Sequence, residues 1–308
     1  MKKTKGIPGH GAFTAERLAR ALLLTCAVVA IFAVCAITFY LFAKGLPALH
    51  RVGIGELLLG HVWKPTAAEP RFGIAYIILS SIVGTAMSVL LGVPIGLLTA
   101  VFLTEVSGKR LSATVQPAVE LLAAIPSVIY GLLGMMLLNP VLYKLEKSIF
   151  AGSATHQYTG GADLLAAVIV LAIMILPTVI SVSASAIRAV PGQLRAASLA
   201  LGASKMQTIW GVTVPAAKSG ILTGVVLGMG RALGEAMAIN MVAGGSVNLP
   251  LPFNSVRFLT TQLVSEMGYA EGIHRQVLFT VGLVLYLFIM TVNLVLQRLR
   301  REGGKDHG

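Results

Sequence analysis

Two formal charges stand inside one of the apolar stretches of this chain. Residues 230 to 245 read GRALGEAMAINMVAGG, so that Arg231 and Glu235 are four positions apart. In a continuous helix this spacing puts both side chains on one face. In the middle of a membrane a charged side chain costs from about 3 kcal/mol on insertion scales to over about 10 kcal/mol in simulations, and is therefore a candidate for function. The first question is whether this stretch crosses a membrane.

The composition indicates a membrane protein. Of 308 residues, 56% are hydrophobic and only 12% are charged, and the mean hydropathy is +0.84. A helix needs about 20 apolar residues to cross about 30 Å of hydrocarbon. Six stretches are long enough, which predicts an all-α integral membrane protein with six transmembrane helices. They are Ala21–Ala43, Phe72–Leu103, Val119–Tyr143, Ala162–Ser185, Ser219–Ala243 and Gln276–Gln297.

Proline and glycine predict irregularities in three of these spans. The second span is too long for one straight helix and contains Pro94 between glycines, so we expect a kink or an interfacial start near Phe72. Pro126 and Pro177 interrupt the third and fourth spans. A proline frees a backbone carbonyl that needs another partner in lipid, so these helices should pack inside a bundle. Glu120 is expected to start the third span.

The distribution of lysine and arginine predicts that both termini are cytoplasmic. With that orientation the inner segments collect most of the basic residues and few acids, whereas the outer loops mix acids with bases. The net charge of +12 raises the alternative of nucleic-acid binding. No concentrated basic face interleaved with aromatic residues supports it, so no nucleic acid is expected as a partner.

The first span should remain in the mature protein, because its apolar stretch is longer than the core of a cleaved signal peptide. Cys26 and Cys35 both lie in it, nine positions apart and therefore on opposite sides of the helix. They predict neither a disulfide nor a metal site.

Other chemistry is not indicated. The histidines show no metal-ligand spacing and are interpreted as surface residues; the ones considered are His50, His61, His156 and His274. The segment VPAAKSG at Val214–Gly220 ends in Lys-Ser but lacks the glycines of a phosphate-binding P-loop. We therefore expect no enzyme activity, no metal and no cofactor in this chain.

The inner segment Ala186–Lys218 predicts a short helical hairpin on the cytoplasmic face. Gln193–Leu201 is a run of helix formers, Gly202 is a helix stop, Ala203–Gly211 can form a second short helix, and Pro215 precedes the fifth span. The alternative is a solvated linker whose few basic residues only hold the topology.

This segment resembles the cytoplasmic coupling loop of ABC importer permeases. The family pattern is Glu-Ala-Ala, three residues, Gly, nine residues and Ile-x-Leu-Pro. Here it is matched by Ala196, Ala197 and Ser198, then Gly202, and then VTVP ending at Pro215. Ala196 departs from the family, which usually has glutamate there.

Flanking motifs narrow the resemblance to the permease subunits of the bacterial phosphate importer. The stretch GEAMAINMVAGG is similar to the C-type subunit rather than the A-type partner. The likeness runs from about Phe72 to Arg298. The other motifs are IPSVIYGL at Ile125–Leu132, LPTVIS at Leu176–Ser181, IRAVP at Ile187–Pro191, ASLALGASKMQTI at Ala197–Ile209 and GRALGEAMA at Gly230–Ala238.

The resemblance implies a type I ABC importer permease fold in the bacterial inner membrane. Residues 72–298 would form the five-helix core with coupling loop 186–218, preceded by residues 1–71 with the first span and followed by a basic tail, 299–308. The implied partners are a second, A-type permease, two ATPase subunits that hold ATP and magnesium, and a periplasmic phosphate-binding protein. The implied function is import of inorganic phosphate by alternating access.

Within this family the charged pair acquires a role. Arg231 lies about 18 Å into the span, near the midplane, where its guanidinium would stabilise a dehydrated phosphate. Glu235 would orient it and keep the empty site from trapping anions. Ser127, Tyr130 and Asn240 are further candidates for the pathway, although such side chains often bond their own helix.

A structural role for the same residues stays open. An internal Arg231–Glu235 ion pair is the alternative, although the order Arg before Glu is the less favourable one. We expect Gly224 and Gly228 to pack against another helix, and leave Gly230 and Gly234 between packing and ligand approach.

Three rival functions remain. The same architecture can serve another oxyanion, such as sulfate, molybdate or phosphonate. A self-sufficient secondary transporter needs an internal repeat of the hydropathy pattern, which is not convincing here. A purely structural scaffold gives no reason for charges at the midplane.

Overall fold

The computed structural model describes residues 10–153 and 155–302. The outermost parts of both predicted cytoplasmic tails lie outside these residues. The described chain is almost wholly helical, and its sheet is one antiparallel hairpin of β1, Trp63–Lys64, and β2, Arg71–Phe72. The predicted all-α class is confirmed.

The helices follow one another in this order. They are α1 His10–Val52, α2 Ile54–Leu59, α3 Ala75–Val101, α4 Lys109–Ala124, α5 Ser127–Leu133, α6 Asn139–Phe150, α7 Leu164–Arg188, α8 Gly192–Ala200, α9 Lys205–Thr208, α10 Val214–Ala216, α11 Lys218–Gly234, α12 Met237–Val242, α13 Leu259–Glu266 and α14 Gly272–Glu302. Three π-helical turns are inserted between them: π1 Phe102–Val106, π2 Gly134–Leu138 and π3 Ile209–Thr213.

Five helical segments are long and apolar enough to cross a membrane, and a bent pair makes a sixth. The five are Glu16–Val52, Ala75–Val106, Ser127–Phe150, Leu164–Arg188 and Gly272–Arg298. The pair consists of Lys205–Ala216 and Lys218–Gly234, which meet at an angle of 68°. The six predicted spans are therefore present when the bent pair is counted as one span.

The first helix is longer than predicted. α1 has 43 residues and continues through Pro47, so it is about 65 Å long. Its apolar segment buries nothing inside the protein, as expected of a helix that faces lipid. It packs along α14, where the hydroxyl of Thr280 donates to the carbonyl of Gly45 at 2.7 Å.

α7 is the centre of the bundle, and glycines of α3 let the two helices approach closely. A Cβ atom added to Gly92 would lie 2.7 Å from the Ile175 side chain, and one added to Gly96 would lie 2.8 Å from Val179. α3 continues as one helix past Pro94. The helix begins at Ala75, three residues after Phe72, and the irregular turn π1 follows it; the predicted kink or interfacial start near Phe72 stays a prediction.

The third span begins later than predicted because Pro126 separates two helices. α4 ends at Ala124, Ile125 is extended, and α5 starts at Ser127. A proline disfavours helical backbone in the residue before it, which explains the break. The predicted span start at Val119 is therefore wrong, and Glu120 lies near the end of α4 rather than at the start of a span.

The loop between α12 and α13 covers the start of α7. It contains Pro250 and Pro252, and it has no regular helix between residues 245 and 258. The first amides of α7 donate to this loop: Leu164 N to Asn254 O at 3.0 Å and Leu165 N to Pro252 O at 2.9 Å. These bonds satisfy amides that would otherwise be unpaired at the helix end.

Candidate functional site

The helix that carries Arg231 ends three residues later. α11 ends at Gly234, and Glu235 has an extended backbone with φ −74° and ψ 127°. The carbonyl of Glu235 accepts the hydroxyl of Thr260 at 2.7 Å. The prediction of one continuous helix through Ala243 is wrong. Because lipid leaves freed backbone groups unsatisfied, a break inside a span needs partners of this kind within the protein.

The carboxylate of Glu235 makes a hydrogen bond to α12 and, among the described residues, no ion pair with Arg231. Its Oε1 accepts the amide of Ala238 at 2.9 Å, which satisfies an unpaired amide of the first turn of α12 and places a negative charge at that helix end. Among the described residues Arg231 takes part in no ion pair. Neither the internal ion pair nor the orienting contact is found. The assignment of both residues to a substrate site stays a prediction.

α11 has one packed side and one open side. A Cβ atom on Gly224 would meet Val182 at 3.2 Å, and one on Gly228 would meet Val179 at 3.1 Å, both on α7. At Gly230 and Gly234 an added Cβ would meet nothing within 4 Å. The packing predicted for Gly224 and Gly228 is confirmed, and the two glycines that flank Arg231 lie on the open side.

Arg231 is half-buried, and so is Tyr130 of α5, whose hydroxyl makes a hydrogen bond to α4. That hydroxyl donates to the carbonyl of Leu122 at 2.8 Å, a carbonyl that has no i+4 amide partner because residue 126 is proline. Tyr130 therefore joins α4 to α5 across the break.

The other two pathway candidates lie on α5 and α12. Ser127 is the first residue of α5 and is half-buried. Asn240 is exposed on α12, and its Oδ1 accepts the hydroxyl of Ser265 at 2.9 Å. This bond joins α12 to α13.

The predicted hairpin of the coupling loop is confirmed. Gly202, which follows α8, has φ +85°. The amide of Gly202 donates to Leu199 O at 3.0 Å, and the amide of Ala203 donates to Ser198 O at 3.2 Å. This is the Schellman motif, in which glycine takes the left-handed position. The hydroxyls of Ser198 and Thr208 are 2.9 Å apart and join the two arms.

The tip of this hairpin is apolar and exposed. Leu201 is 90% exposed, and Ala196 and Ala197 of the family motif are also exposed. Four other large apolar side chains of this segment are also exposed: Leu194, Leu199, Met206 and Trp210. Pro215 lies in α10, next to the bend that leads into α11.

Three buried carboxylates were missed by the sequence analysis: Glu146, Asp163 and Glu266. Glu266 in α13 is bonded to Arg257 at 2.5 Å, to His274 at 2.8 Å and to the indole nitrogen of Trp63 at 3.0 Å. Glu146 in α6 is fully buried and contacts His156. His50 and His61 are exposed as predicted, but placing His156 and His274 among plain surface residues was wrong.

Glu146 bonds the segment that precedes α7, and its charge acts on the residue that caps this helix, Asp163. Thr159 donates its amide to Glu146 at 3.0 Å, and Asp163 caps α7 by accepting the amide of Ala166 at 2.9 Å. Burial raises the pKa of Asp163 to about 6; the Ala166 amide lowers it, and the charge of Glu146 raises it further. In the part of the chain that the structure describes, no group of three His, Cys, Asp or Glu residues is arranged to hold a metal ion.

Comparisons with known proteins agree with this architecture. A family model described as binding-protein-dependent transport system inner membrane component matches residues 92–301. The chain is 39% identical over 288 residues to the probable ABC transporter permease protein YqgH of Bacillus subtilis (strain 168), covering 91% of this chain and 90% of that protein. It is 32% identical over 259 residues to the phosphate transport system permease protein PstC of Pasteurella multocida (strain Pm70), covering 79% of this chain and 80% of that protein.

A solved structure shows the same fold. It is a chain of a bacterial alginate ABC transporter in complex with an alginate pentasaccharide-bound periplasmic protein, with a TM-score of 0.63 and 18% identity over 93% of this chain and 96% of that chain. The fold is that of the type I ABC importer permeases, and the apolar spans make the protein a multi-pass inner-membrane protein. The chain belongs to the family of binding-protein-dependent transport system inner membrane components.

Proposed function

We propose that this chain is the C-type permease subunit of an ATP-driven importer for inorganic phosphate and forms half of its translocation pathway by alternating access. Support comes from its family membership and from relatives named as phosphate transport system permeases at 30–33% identity. The motifs that resemble the phosphate importer's permeases occur in the same order in this sequence.

The complete transporter would contain several further chains. A second, A-type permease would face the open side of α11, two ATPase subunits would dock from the cytoplasm with their ATP and magnesium, and a periplasmic phosphate-binding protein would deliver the ligand. Both termini of this chain would be cytoplasmic, which puts the hairpin of α8 and α9 on the side of the ATPases. The exposed Leu201 and its apolar neighbours supply a surface for that contact.

The observation that carries the proposal is the position of Arg231. It lies half-buried in a broken apolar span and makes no ion pair with any described carboxylate. A cation in hydrocarbon needs a counter-charge, and a planar guanidinium offers several donors to the oxygens of a phosphate. A phosphate that crosses between two permeases would supply the negative counter-charge that no described carboxylate provides.

Glu235 would act through the backbone. Its carboxylate caps α12 and so fixes the break that directly follows α11. Its negative charge would stay near the pathway without neutralising Arg231. Phosphate binding then remains weak enough for release, because the site holds no second cation beside Arg231 and the carboxylate of Glu235 lies nearby. Tyr130 would line the pathway opposite Arg231.

The test is reconstitution of the full chain with its partner subunits in proteoliposomes. The ATPase and a second permease should co-purify with this chain. Uptake of radiolabelled phosphate should require ATP and the binding protein, and excess sulfate, molybdate or phosphonate should not compete. Competition by one of those anions at phosphate-like concentrations would favour the rival oxyanion. Uptake without any ATPase subunit would contradict the proposal and favour a secondary transporter.

A further inference from the structure

No side chain of α8 is buried. Apolar packing, which holds the other helices in the bundle, therefore does not fix this helix against the membrane spans. Its position depends on polar contacts. Besides the bond between Ser198 and Thr208, which joins α8 to the other arm of the same hairpin, these contacts come from Arg195.

Arg195 reaches two different spans from the middle of α8. Its Nη2 lies 2.8 Å from Oε1 of Glu105, and the same nitrogen donates to the carbonyl of Ile187 at 2.7 Å. Glu105 belongs to π1 at the end of the second span, and Ile187 lies in the last turn of α7. The two side chains are only 28% and 12% exposed, so their attraction is less screened by water than that of a surface pair.

The two ends that Arg195 joins are themselves packed together. Ala100 and Val101 of α3, Ala184 and Ile187 of α7, and Ile209 of π3 belong to one buried cluster. Movement of this cluster would move three spans at once. π-helical turns such as π1 and π3 are strained insertions that often occur at functional positions, because they can shift register at modest cost.

We infer that Arg195 is the positioning residue that transmits motion of the coupling hairpin to the spans, with Glu105 as its counter-charge on π1. The inference rests on the proposed function, since it supposes that an ATPase moves the hairpin. Among the described residues this is the one ion pair between α8 and a span. An ATPase that pushes on Leu201 would displace α8, and Arg195 would carry this displacement to π1 and to the end of α7.

The experiment measures phosphate uptake per ATP hydrolysed in proteoliposomes that contain the whole complex. Arg195→Gln and Glu105→Gln should each lower this ratio by about tenfold, equal to about 1.4 kcal/mol of coupling, while ATP hydrolysis continues. The exchanged pair, Arg195→Glu with Glu105→Arg, should recover part of the ratio, because it restores the ion pair but not the hydrogen bond to the Ile187 carbonyl. Arg110→Gln is the matched control, because Arg110 is exposed on the same side of the protein and has no carboxylate partner among the described residues.

A wild-type ratio in both single variants would overturn the inference. If a single variant fails to assemble, the exchanged pair decides. Assembly with a recovered ratio supports transmission through the pair, whereas a low ratio or failure to assemble contradicts it. A wild-type complex without phosphate-dependent ATP hydrolysis would refute the proposed function instead, and this is seen before any variant is compared.

Discussion

Replacing Asp163 by asparagine is expected to remove part of the pH dependence of the protein's stability. Burial raises the pKa of this carboxyl from 3.8 to about 6 in the folded protein. Because the folded pKa is raised, the stabilising contribution is fully present below the unfolded pKa and is lost as the pH rises through about 6. A difference of about two pKa units amounts to about 3 kcal/mol in full, of which about 1.4 kcal/mol is gained between about pH 7.5 and about pH 5.

The assay is thermal unfolding of the purified protein in one detergent at both pH values. Asparagine keeps a side-chain oxygen that can accept the amide of Ala166 but cannot ionise. On acidification the wild type should therefore gain a few degrees relative to Asp163→Asn. Scan rates must be equal, because unfolding of large proteins is often irreversible.

The control for this prediction is Glu271→Gln, which removes an exposed carboxyl just before α14. This variant should follow the wild type at both pH values. Equal pH dependence in the wild type and in Asp163→Asn would refute the reasoning, since it would mean that Asp163 does not change its protonation in this range. A larger pH dependence in Asp163→Asn would contradict the sign of the pKa shift.

Three further predictions concern packing and coupling. Gly202→Trp should leave the chain inserted and ATP hydrolysis active but stop coupled uptake, because a side chain at φ +85° strains the turn and a bulky ring stands on the exposed tip of the hairpin; normal transport would show that the hairpin is not the contact. Gly92→Ala should destabilise the protein by about 1–3 kcal/mol, since its Cβ would lie 2.7 Å from Ile175, whereas Gly230→Ala should be neutral or stabilising in the same thermal assay. Tyr130→Phe should lower the unfolding free energy by about 1 kcal/mol through loss of its hydrogen bond; an unchanged value would remove Tyr130 from the α4–α5 junction.

The spans and the hairpin were predictable because their causes are local. A run of about 20 apolar residues has few alternatives to a membrane helix, and Gly202 stops α8 because its left-handed backbone suits glycine. Gly224 and Gly228 were also predictable as packing positions. Small residues at this spacing form one side of a helix and let a neighbouring helix approach.

The break at Glu235 was not predictable, because its causes are distant in the chain. No proline lies between Gly234 and Met237, and the freed carbonyl is satisfied by Thr260, 25 positions later. The burial of His274 has the same origin: its partner Glu266 precedes it by eight residues, but the surrounding Trp63 comes from another part of the chain. Spacing along the sequence carries no record of such contacts.

The most direct test of the role of Arg231 is the rate of phosphate uptake by the Arg231→Gln complex. Glutamine keeps a polar but shorter side chain without charge, so loss of charge-assisted bonds of about 1.5–3 kcal/mol should lower uptake about tenfold to about a hundredfold. Assembly with the partner subunits should be unchanged, and Arg110→Gln should transport normally. Wild-type uptake by Arg231→Gln would contradict the assignment of Arg231 to the phosphate pathway.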